Sequence, residues 1–220
     1  MHKNLLFWQK SDDILKLTTS LKHNEISIVT TDTILGFLGQ ISQEAFEKLN
    51  AIKEERNDKP YLILIASPSQ IFNFVDKITV NKQLLNLINK CWPGPLTIIF
   101  KGKSDLPSFL KSKANTIAIR CPKHEGLNQI LQEFDGLFST SANKSGKPAP
   151  TKFEKIEPLI INEIKYLVDD LNVTKQNDTL NLPSTIIDCS EGNYVKVVRK
   201  GSYTISELEK IYGNKFENYE

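Results

Sequence analysis

The segment Gln43–Lys53 (QEAFEKLNAIK), followed closely by residues 61–66 (YLILIA), decides the fold class of this chain. Apolar residues in the first part recur along one stripe at helical spacing, which predicts an amphipathic helix. The second part is hydrophobic at every position, so both of its faces would be buried, as in a central strand of an α/β sheet. A helix that leads into such a strand is typical of an α/β fold.

The rest of the chain continues this alternation. Further helices are predicted over residues 11–21, behind a Ser-Asp-Asp capping pattern, and over residues 80–91, 125–134, 151–164 and 205–212. Further strands are predicted over residues 26–30, 96–100, 116–120, 137–140, 166–168, 185–188 and 194–199, with a polar loop over 169–182. Because helices and strands interleave, we expect an α/β fold with a twisted, mixed β-sheet flanked by helices. No repeat or linker divides the chain, so a single domain over residues 1–220 is expected.

Composition excludes several classes of protein. The 220 residues are 40% hydrophobic and 25% charged, an ordinary balance for a globular chain, and no apolar run approaches the ~20 residues of a membrane-spanning helix. Three widely spaced cysteines, three scattered histidines and the lack of a signal-peptide cleavage site predict a cytoplasmic protein without disulfides or a zinc site. The net charge of +2 argues against a dedicated nucleic-acid binder.

Arginine is rare in this chain. Of the 28 basic residues, three are arginines: Arg56, Arg120 and Arg199. Lysine serves wherever a simple positive charge suffices, whereas arginine alone presents a planar fork of N–H donors to a carboxylate or phosphate. We therefore expect the three arginines at positions where that fork is needed.

Three polar segments are candidates for ligand binding. Residues 28–36 (IVTTDTILG) lead a strand into hydroxyls and a glycine, which suit a small polar substrate. Residues 53–60 (KEERNDKP) gather three cations that could surround a polyphosphate, and residues 138–148 (FSTSANKSGKP) offer hydroxyls and backbone N–H groups to phosphate oxygens. Each segment also has a plainer interpretation, namely a hydrogen-bonded turn, a solvated helix end or a turn rich in capping residues.

Arginines also end two predicted strands, at Arg120 and Arg199. Open α/β sheets bind ligands at the rim where such side chains emerge, although a structural ion pair would explain either arginine equally well. The sequence contains no GxSxG, GxGxxG or GxxxxGK[ST] motif. A hydrolase triad, a dinucleotide-dependent redox enzyme and a P-loop NTPase are therefore not supported.

Together, the order and spacing of these segments resemble the YrdC/TsaC family of threonylcarbamoyl-adenylate synthases over residues 26–201. The corresponding family motifs, in chain order, are PTDTxYG at residues 30–36, KxRxxxKP at 53–60, PGPLT at 93–97, SAN-x-SG at 141–146, PSTI at 183–186 and RxG at 199–201. The PGPLT motif is present unchanged.

This resemblance implies a fold, a reaction and partners. The fold would be the open sheet with a concave cavity of the dsRBD/YrdC type, in its short, single-domain form. The reaction would convert L-threonine, bicarbonate and ATP into threonylcarbamoyl-AMP and pyrophosphate, with Mg²⁺ or Mn²⁺ accompanying the nucleotide and no metal site from protein side chains alone. The product would serve a tRNA threonylcarbamoyl transferase complex, and weak binding of tRNA itself stays open. Two alternatives also stay open: a non-catalytic RNA-binding module and a related enzyme that forms a carbamoyl-adenylate.

The resemblance also implies roles for individual residues. The catalytic set would comprise Lys53, Arg56, Ser141 and Asn143. The residues that bind ATP would be Lys53, Lys59, Thr116, Ser141, Asn143 and Arg199. The residues that bind L-threonine would be Thr31, Ser139, Ser184 and Arg120, the last as a bidentate clamp on the carboxylate.

The chain departs from the family pattern in the first two motifs. Thr30 and Leu35 replace a proline and an aromatic residue, and residues 61–65 lack the family's usual histidine. Glu55 stands where arginine is expected, with Arg56 one position later. In a helix this shift would rotate the side chain by about 100°, whereas a loop could absorb it.

We predict that Arg56 takes the role of the family's arginine. Arg56→Ala should then sharply reduce pyrophosphate release from ATP, because a hydrogen bond to a charged group is typically worth about 1.5–3 kcal/mol. Turnover assays on purified wild-type and variant protein test this, and unchanged turnover would remove Arg56 from the site.

Overall fold

The computed structural model describes residues 4–54, 60–171, 182–192 and 194–218. The strands in these ranges are β1 (Leu5–Phe7), β2 (Ser27–Val29), β3 (Gly36–Gln40), β4 (Leu62–Leu64), β5 (Leu96–Lys101), β6 (Thr116–Arg120), β7 (Leu137–Ser141), β8 (Leu167–Asp169), β9 (Thr185–Asp188), β10 (Lys196–Arg199) and β11 (Glu217–Asn218). The α-helices are α1 (Ser11–Lys22), α2 (Gln43–Lys53), α3 (Lys82–Cys91), α4 (Glu125–Leu131), α5 (Pro158–Glu163) and α6 (Ile205–Tyr212).

All of these strands belong to one sheet, in the order β1-β8-β2-β3-β7-β4-β6-β5-β9-β10-β11. Strand β4 pairs in parallel with β6, whereas β6 and β5 are antiparallel. The sheet is thus mixed and its order has two free ends, which confirms the predicted α/β class.

Helix α2 forms over the residues for which the apolar stripe predicted a helix. The hydroxyl of Ser42 caps it by accepting a hydrogen bond from the Ala45 N–H at 3.1 Å, which satisfies one of the free donors of the first turn. The helix ends at Lys53, because Glu54 has a φ of 44° and so leaves the helical region. Lys53, the first residue of the basic segment over residues 53–60, is thus the last residue of α2, and residues 55–59 lie outside the described residues.

Several predicted elements differ from the structure. The single helix predicted over residues 151–164 is wrong: a short 3₁₀ turn (Phe153–Lys155) is separated from α5, because Pro158 disfavours a helical conformation in the residue before it. The capping pattern predicted at Ser11 is also wrong, since the N-cap is Lys10 and makes no side-chain cap bond. Strands β1, β3 and β11 were not predicted, and most of the predicted polar loop (residues 172–181) lies outside the described residues.

The two faces of the sheet are covered differently. Side chains such as Ile63, Ile119 and Phe138 enter a large core that also includes residues of α2, α3 and α6. The opposite face packs against α1 and α4 through a smaller core that includes Leu64 and Leu127. No helix within the described ranges combines the length and the apolar character that crossing a membrane requires.

Candidate active site

A cavity of about 520 Å³ lies on the second face of the sheet, beside α4. Its floor is formed by alternate residues of the central strands, because successive side chains of a strand point to opposite faces. Strand β6 contributes Thr116, Ala118 and Arg120 in this way. The polar side chains in the lining are Thr31, Thr33, Thr97, Thr116, Arg120, Ser139, Thr140, Ser141, Ser184 and Arg199.

The register of the sheet places the two cavity arginines on one row. Ile98 pairs with Ile119, so the preceding residue of β5, Thr97, lies opposite Arg120. Thr97 pairs with Ile186 on β9, and Ile186 pairs with Arg199 on β10. Three strand spacings of ~4.8 Å separate the backbones of Arg120 and Arg199 by roughly 14 Å. Two guanidinium groups therefore face one cavity from opposite sides.

Arg120 is almost completely buried, with 4% of its surface exposed. Its Nε donates to the Gly94 carbonyl at 3.1 Å, its Nη1 to the Thr33 hydroxyl at 2.8 Å and its Nη2 to Asp32 Oδ1 at 2.5 Å. Burial lowers the pKa of Arg120, and the negative charge of Asp32 opposes that shift. A guanidinium has five N–H donors, so these three bonds leave one N–H on each terminal nitrogen.

Arg199 is anchored to the segment before β9. Its Nε and Nη2 donate to the Ser184 carbonyl at 3.2 and 2.9 Å, and Nη2 also donates to the Ser184 hydroxyl at 3.1 Å. That hydroxyl lies 2.8 Å from the hydroxyl of Thr97. Partial burial lowers the pKa of Arg199, and the like charge of Arg120 adds to the shift. The cavity thus carries two fixed positive charges, an arrangement that attracts anions.

Two glycines let the backbone approach closely beside these arginines. A Cβ on Gly201 would lie 2.3 Å from the Pro183 carbonyl oxygen, and one on Gly94 would lie 2.4 Å from the Cys91 carbonyl oxygen. Real Cβ atoms do not approach so closely. Glycine at these positions therefore allows the contacts that hold Ser184 against Arg199 and the Gly94 carbonyl against Arg120.

The loop after β7 is tied to the end of α2. The Lys53 ammonium donates to the carbonyls of Ser141, at 2.9 Å, and Asn143, while the Ser145 N–H donates to the Lys53 carbonyl at 3.0 Å. Lys53 is buried, with 3% exposed, and lies behind the loop instead of lining the cavity. The Asn143 amide donates to the carbonyls of Lys144 and Lys147, at 2.8 and 2.5 Å, and holds the loop closed.

The structure brings most of the predicted site residues together. Lining residues among them are Thr31, Thr116, Arg120, Ser139, Ser141, Ser184 and Arg199. Lys53 and Asn143 lie behind the lining, and Arg56 and Lys59 lie outside the described residues. The Thr31 hydroxyl donates a hydrogen bond to the Ile34 carbonyl at 2.8 Å. It thus stabilises the turn of its own segment, as the interpretation of that segment as a hydrogen-bonded turn predicted.

Sequence reasoning missed Asp32, Thr33 and Thr97 as members of the site. Asp32 and Thr33 bind Arg120, and Thr97 contacts Ser184. All of them lie inside motifs that the sequence analysis had quoted, but their partners are far away in the chain. Within the described ranges, no group of three or more His, Cys, Asp or Glu side chains is arranged to hold a metal ion.

The sequence model of the Sua5/YciO/YrdC family, described as "Telomere recombination", matches residues 19–201. The chain belongs to this family. A relative from Histophilus somni, named threonylcarbamoyl-AMP synthase, is 34% identical over 137 residues, which cover 61% of this chain and 74% of that protein. A relative of the same name from Pyrococcus abyssi is 26% identical over 195 residues, which cover 88% of this chain. The chain described here therefore spans 55% of the length of the P. abyssi protein.

Solved structures of family members share the fold. The crystal structure of P. abyssi Sua5 complexed with L-threonine superposes with a TM-score of 0.85 at 23% identity, covering 98% of this chain and 62% of that one. The crystal structure of Escherichia coli YciO gives a TM-score of 0.76 at 20% identity, covering 93% and 98%. The predicted YrdC-like α/β architecture is thereby confirmed.

The cysteine thiols near the site should be unreactive. Burial raises the pKa of Cys91 and of Cys121, which follows Arg120, to about 11, and it also raises the pKa of Cys189. Because the thiolate is the nucleophile, the native protein at pH 8 should resist iodoacetamide while the denatured chain takes up three labels. Labelling of the native protein should accelerate as the pH rises towards 11. Rapid labelling at pH 8, followed by mass spectrometry, would contradict this.

Proposed function

We propose that this chain is an L-threonylcarbamoyladenylate synthase. It would convert L-threonine, bicarbonate and ATP into threonylcarbamoyl-AMP and pyrophosphate, and the product would supply a transferase complex that modifies adenosine in tRNA. The observation that carries this proposal is the pair of fixed guanidinium groups, Arg120 and Arg199, in one cavity that also exposes serine hydroxyls. The triphosphate of ATP and the carboxylate of threonine are the two anionic groups that such a pair of anchors would hold.

In this proposal the nucleotide occupies the side of the cavity near Arg199, Thr116 and the loop that begins at Ser141. Lys53 and Asn143 hold that loop through its carbonyls, and the Ser141 hydroxyl, which lines the cavity, makes no hydrogen bond to another described residue. Lys59 and Arg56 would add charge next to the phosphates. Mg²⁺ or Mn²⁺ would come with the nucleotide and neutralise part of its charge.

Threonine would bind on the other side, with its carboxylate on the two remaining N–H groups of Arg120. Such a charge-assisted pair is among the stronger hydrogen-bonding arrangements in proteins. The Ser139 hydroxyl, which has no partner in the described part of the chain, and the hydroxyls of Ser184 and Thr31 lie in the same lining. The threonine amino group would condense with bicarbonate, forming an N–C bond and releasing water, and the new carboxylate would face the nucleotide.

The proposed reaction depends on alignment of the two substrates and does not need a nucleophile from the protein. The new carboxylate of N-carboxy-threonine attacks the α-phosphorus of ATP, a P–O bond forms, and the bond to the β-phosphate breaks to release pyrophosphate. Fixed positive charges stabilise the charge that develops on the phosphoryl oxygens and the leaving group. The cavity supplies such charges, and its neighbouring cysteines are neutral thiols.

The relatives named threonylcarbamoyl-AMP synthase support this choice over the two alternatives. An RNA-binding module would need a basic surface with stacking aromatics, whereas the polar cavity lining consists of hydroxyls and two arginines. The crystal structure of full-length HypF in its phosphate- and nucleotide-bound form resembles this chain in fold alone (TM-score 0.66, 15% identity, 29% of that chain), so it does not favour the alternative of a carbamoyl-adenylate enzyme. A cytoplasmic location belongs to the proposal as well.

Pyrophosphate release tests the proposal. With ATP and bicarbonate present, L-threonine should stimulate release and serine or valine should stimulate it far less. Omitting bicarbonate should abolish the threonine-dependent signal, which separates this reaction from simple aminoacyl adenylation. Release that is independent of either threonine or bicarbonate would contradict the proposed function.

Arg199→Lys should lower kcat/KM for ATP by about 10- to 100-fold, because lysine keeps the charge but cannot bond Ser184 and a phosphate with one planar fork. Lys90→Met, on the exposed side of α3, is the surface control and should retain wild-type kinetics. Equal kcat/KM values for wild type and Arg199→Lys would remove Arg199 from nucleotide binding.

A further inference from the structure

Asp32 holds the cavity's buried arginine without lining the cavity. Its Oδ1 accepts a hydrogen bond from Arg120 Nη2 at 2.5 Å, and its Oδ2 accepts one from the Lys123 backbone N–H at 2.9 Å. Asp32 is absent from the described lining, and its side chain is 12% exposed. Each carboxylate oxygen thus accepts a hydrogen bond from the protein itself, and Asp32 contacts the cavity through Arg120.

The turn that carries Asp32 is fixed from within. Thr33 accepts a hydrogen bond from Arg120 Nη1 at 2.8 Å, so adjacent residues of one turn bind the two terminal nitrogens. The Thr31 hydroxyl accepts from the Thr33 N–H at 3.0 Å and donates to the Ile34 carbonyl at 2.8 Å. The Thr31 side chain therefore sets the turn in which Asp32 and Thr33 face Arg120.

With the Gly94 carbonyl on Nε, each nitrogen of the Arg120 guanidinium is bonded to one acceptor from the protein. Such a group cannot rotate about its Nε–Cζ bond without breaking at least two of these bonds. One N–H on each terminal nitrogen is left over, which is the number that a bidentate carboxylate needs.

We propose that Asp32 is a positioning residue that orients Arg120 towards the carboxylate of the amino-acid substrate. The identity of that carboxylate rests on the proposed function, whereas the orientation of Arg120 does not. The competing role for an aspartate near a triphosphate is to bind the divalent cation of the nucleotide. The engagement of both Asp32 oxygens by Arg120 and Lys123 disfavours that role.

Kinetics separate the two roles. Asp32→Asn should raise the KM for threonine by about 10- to 100-fold, the range expected for a charge-assisted hydrogen bond, while the KM for ATP and the requirement for free Mg²⁺ stay within about threefold. Thr33→Val removes one acceptor without changing a charge, and it should raise the threonine KM in the same direction even if Asp32→Asn fails to fold. Asp105→Asn makes the same chemical change at an exposed position and is the matched control. An unchanged threonine KM in a folded variant, or a shift in the ATP KM or Mg²⁺ requirement in its place, would overturn the proposal.

Nuclear magnetic resonance tests the positioning without any turnover. The chain has three arginines, so protein labelled with ¹⁵N-arginine gives a simple spectrum in which Arg120→Lys assigns the signals of Arg120. The Nη signals of Arg120 should be separate in the wild type and in Asp105→Asn, and should average in Asp32→Asn or Thr33→Val. If the wild type fails to release pyrophosphate with threonine, the proposed function is wrong, but the Nη signals still test whether Asp32 restricts the rotation of Arg120. Equally restricted rotation in wild type and both turn variants would overturn the inference by itself.

Discussion

The burial of one guanidinium group is the constraint on which the site depends. Arg120 ends a strand in the middle of the sheet and has 4% of its surface exposed, so protein acceptors replace most of the water around its charge. Breaking a buried ion pair typically costs about 3–5 kcal/mol, because it leaves an unpaired charge in the interior. The contacts of Arg120 therefore hold the turn with Asp32, the Gly94 carbonyl and the end of β6 together in the folded protein. The same contacts aim the remaining donors of Arg120 into the cavity.

The asymmetry of the sheet explains why a cavity exists there. One face is filled by the large core with α2, α3 and α6, whereas α1 and α4 cover only part of the other. On the uncovered part, the central strands present hydroxyl residues and two arginines among apolar side chains such as Leu62, Ile99 and Ile186. The loop after β7 closes this region and is itself held by Lys53 from the opposite side. The cavity therefore lies on the less covered face of the strands whose other face fills the large core.

The local sequence pattern correctly predicted those helices and strands whose formation depends on their own residues or on the burial of one apolar face. Helices α2 and α6 and strands β6 and β9 have the predicted bounds, since periodicity and flanking residues determine them. Strand β3 was missed because its sequence, GFLGQ, is rich in glycine and takes its form from pairing with β2 and β7. The prediction of one helix over residues 151–164 was wrong because it relied on apolar periodicity and neglected the restriction that Pro158 places on the backbone of the residue before it.

Part of the cavity lining was predictable from the sequence, whereas the contacts within the site were not. Rare arginines and hydroxyl-rich strand ends indicated Arg120, Arg199 and Ser141, which do line one cavity. The pairing of Asp32 with Arg120 joins residues 88 positions apart, and no local pattern reveals such a contact. The same limit applies to Lys53, whose spacing suggested a phosphate ligand and whose ammonium is bonded to loop carbonyls 88 and 90 residues away.

A crystal structure of the protein with L-threonine and a non-hydrolysable ATP analogue would show whether Arg120 and Arg199 bind two substrates in one cavity. Both ligands should occupy that cavity, with the threonine carboxylate on the terminal nitrogens of Arg120 and the phosphates beside Arg199 and the loop that begins at Ser141. Ligands bound elsewhere on the protein, or a cavity in which Arg120 contacts neither ligand, would contradict the proposed site.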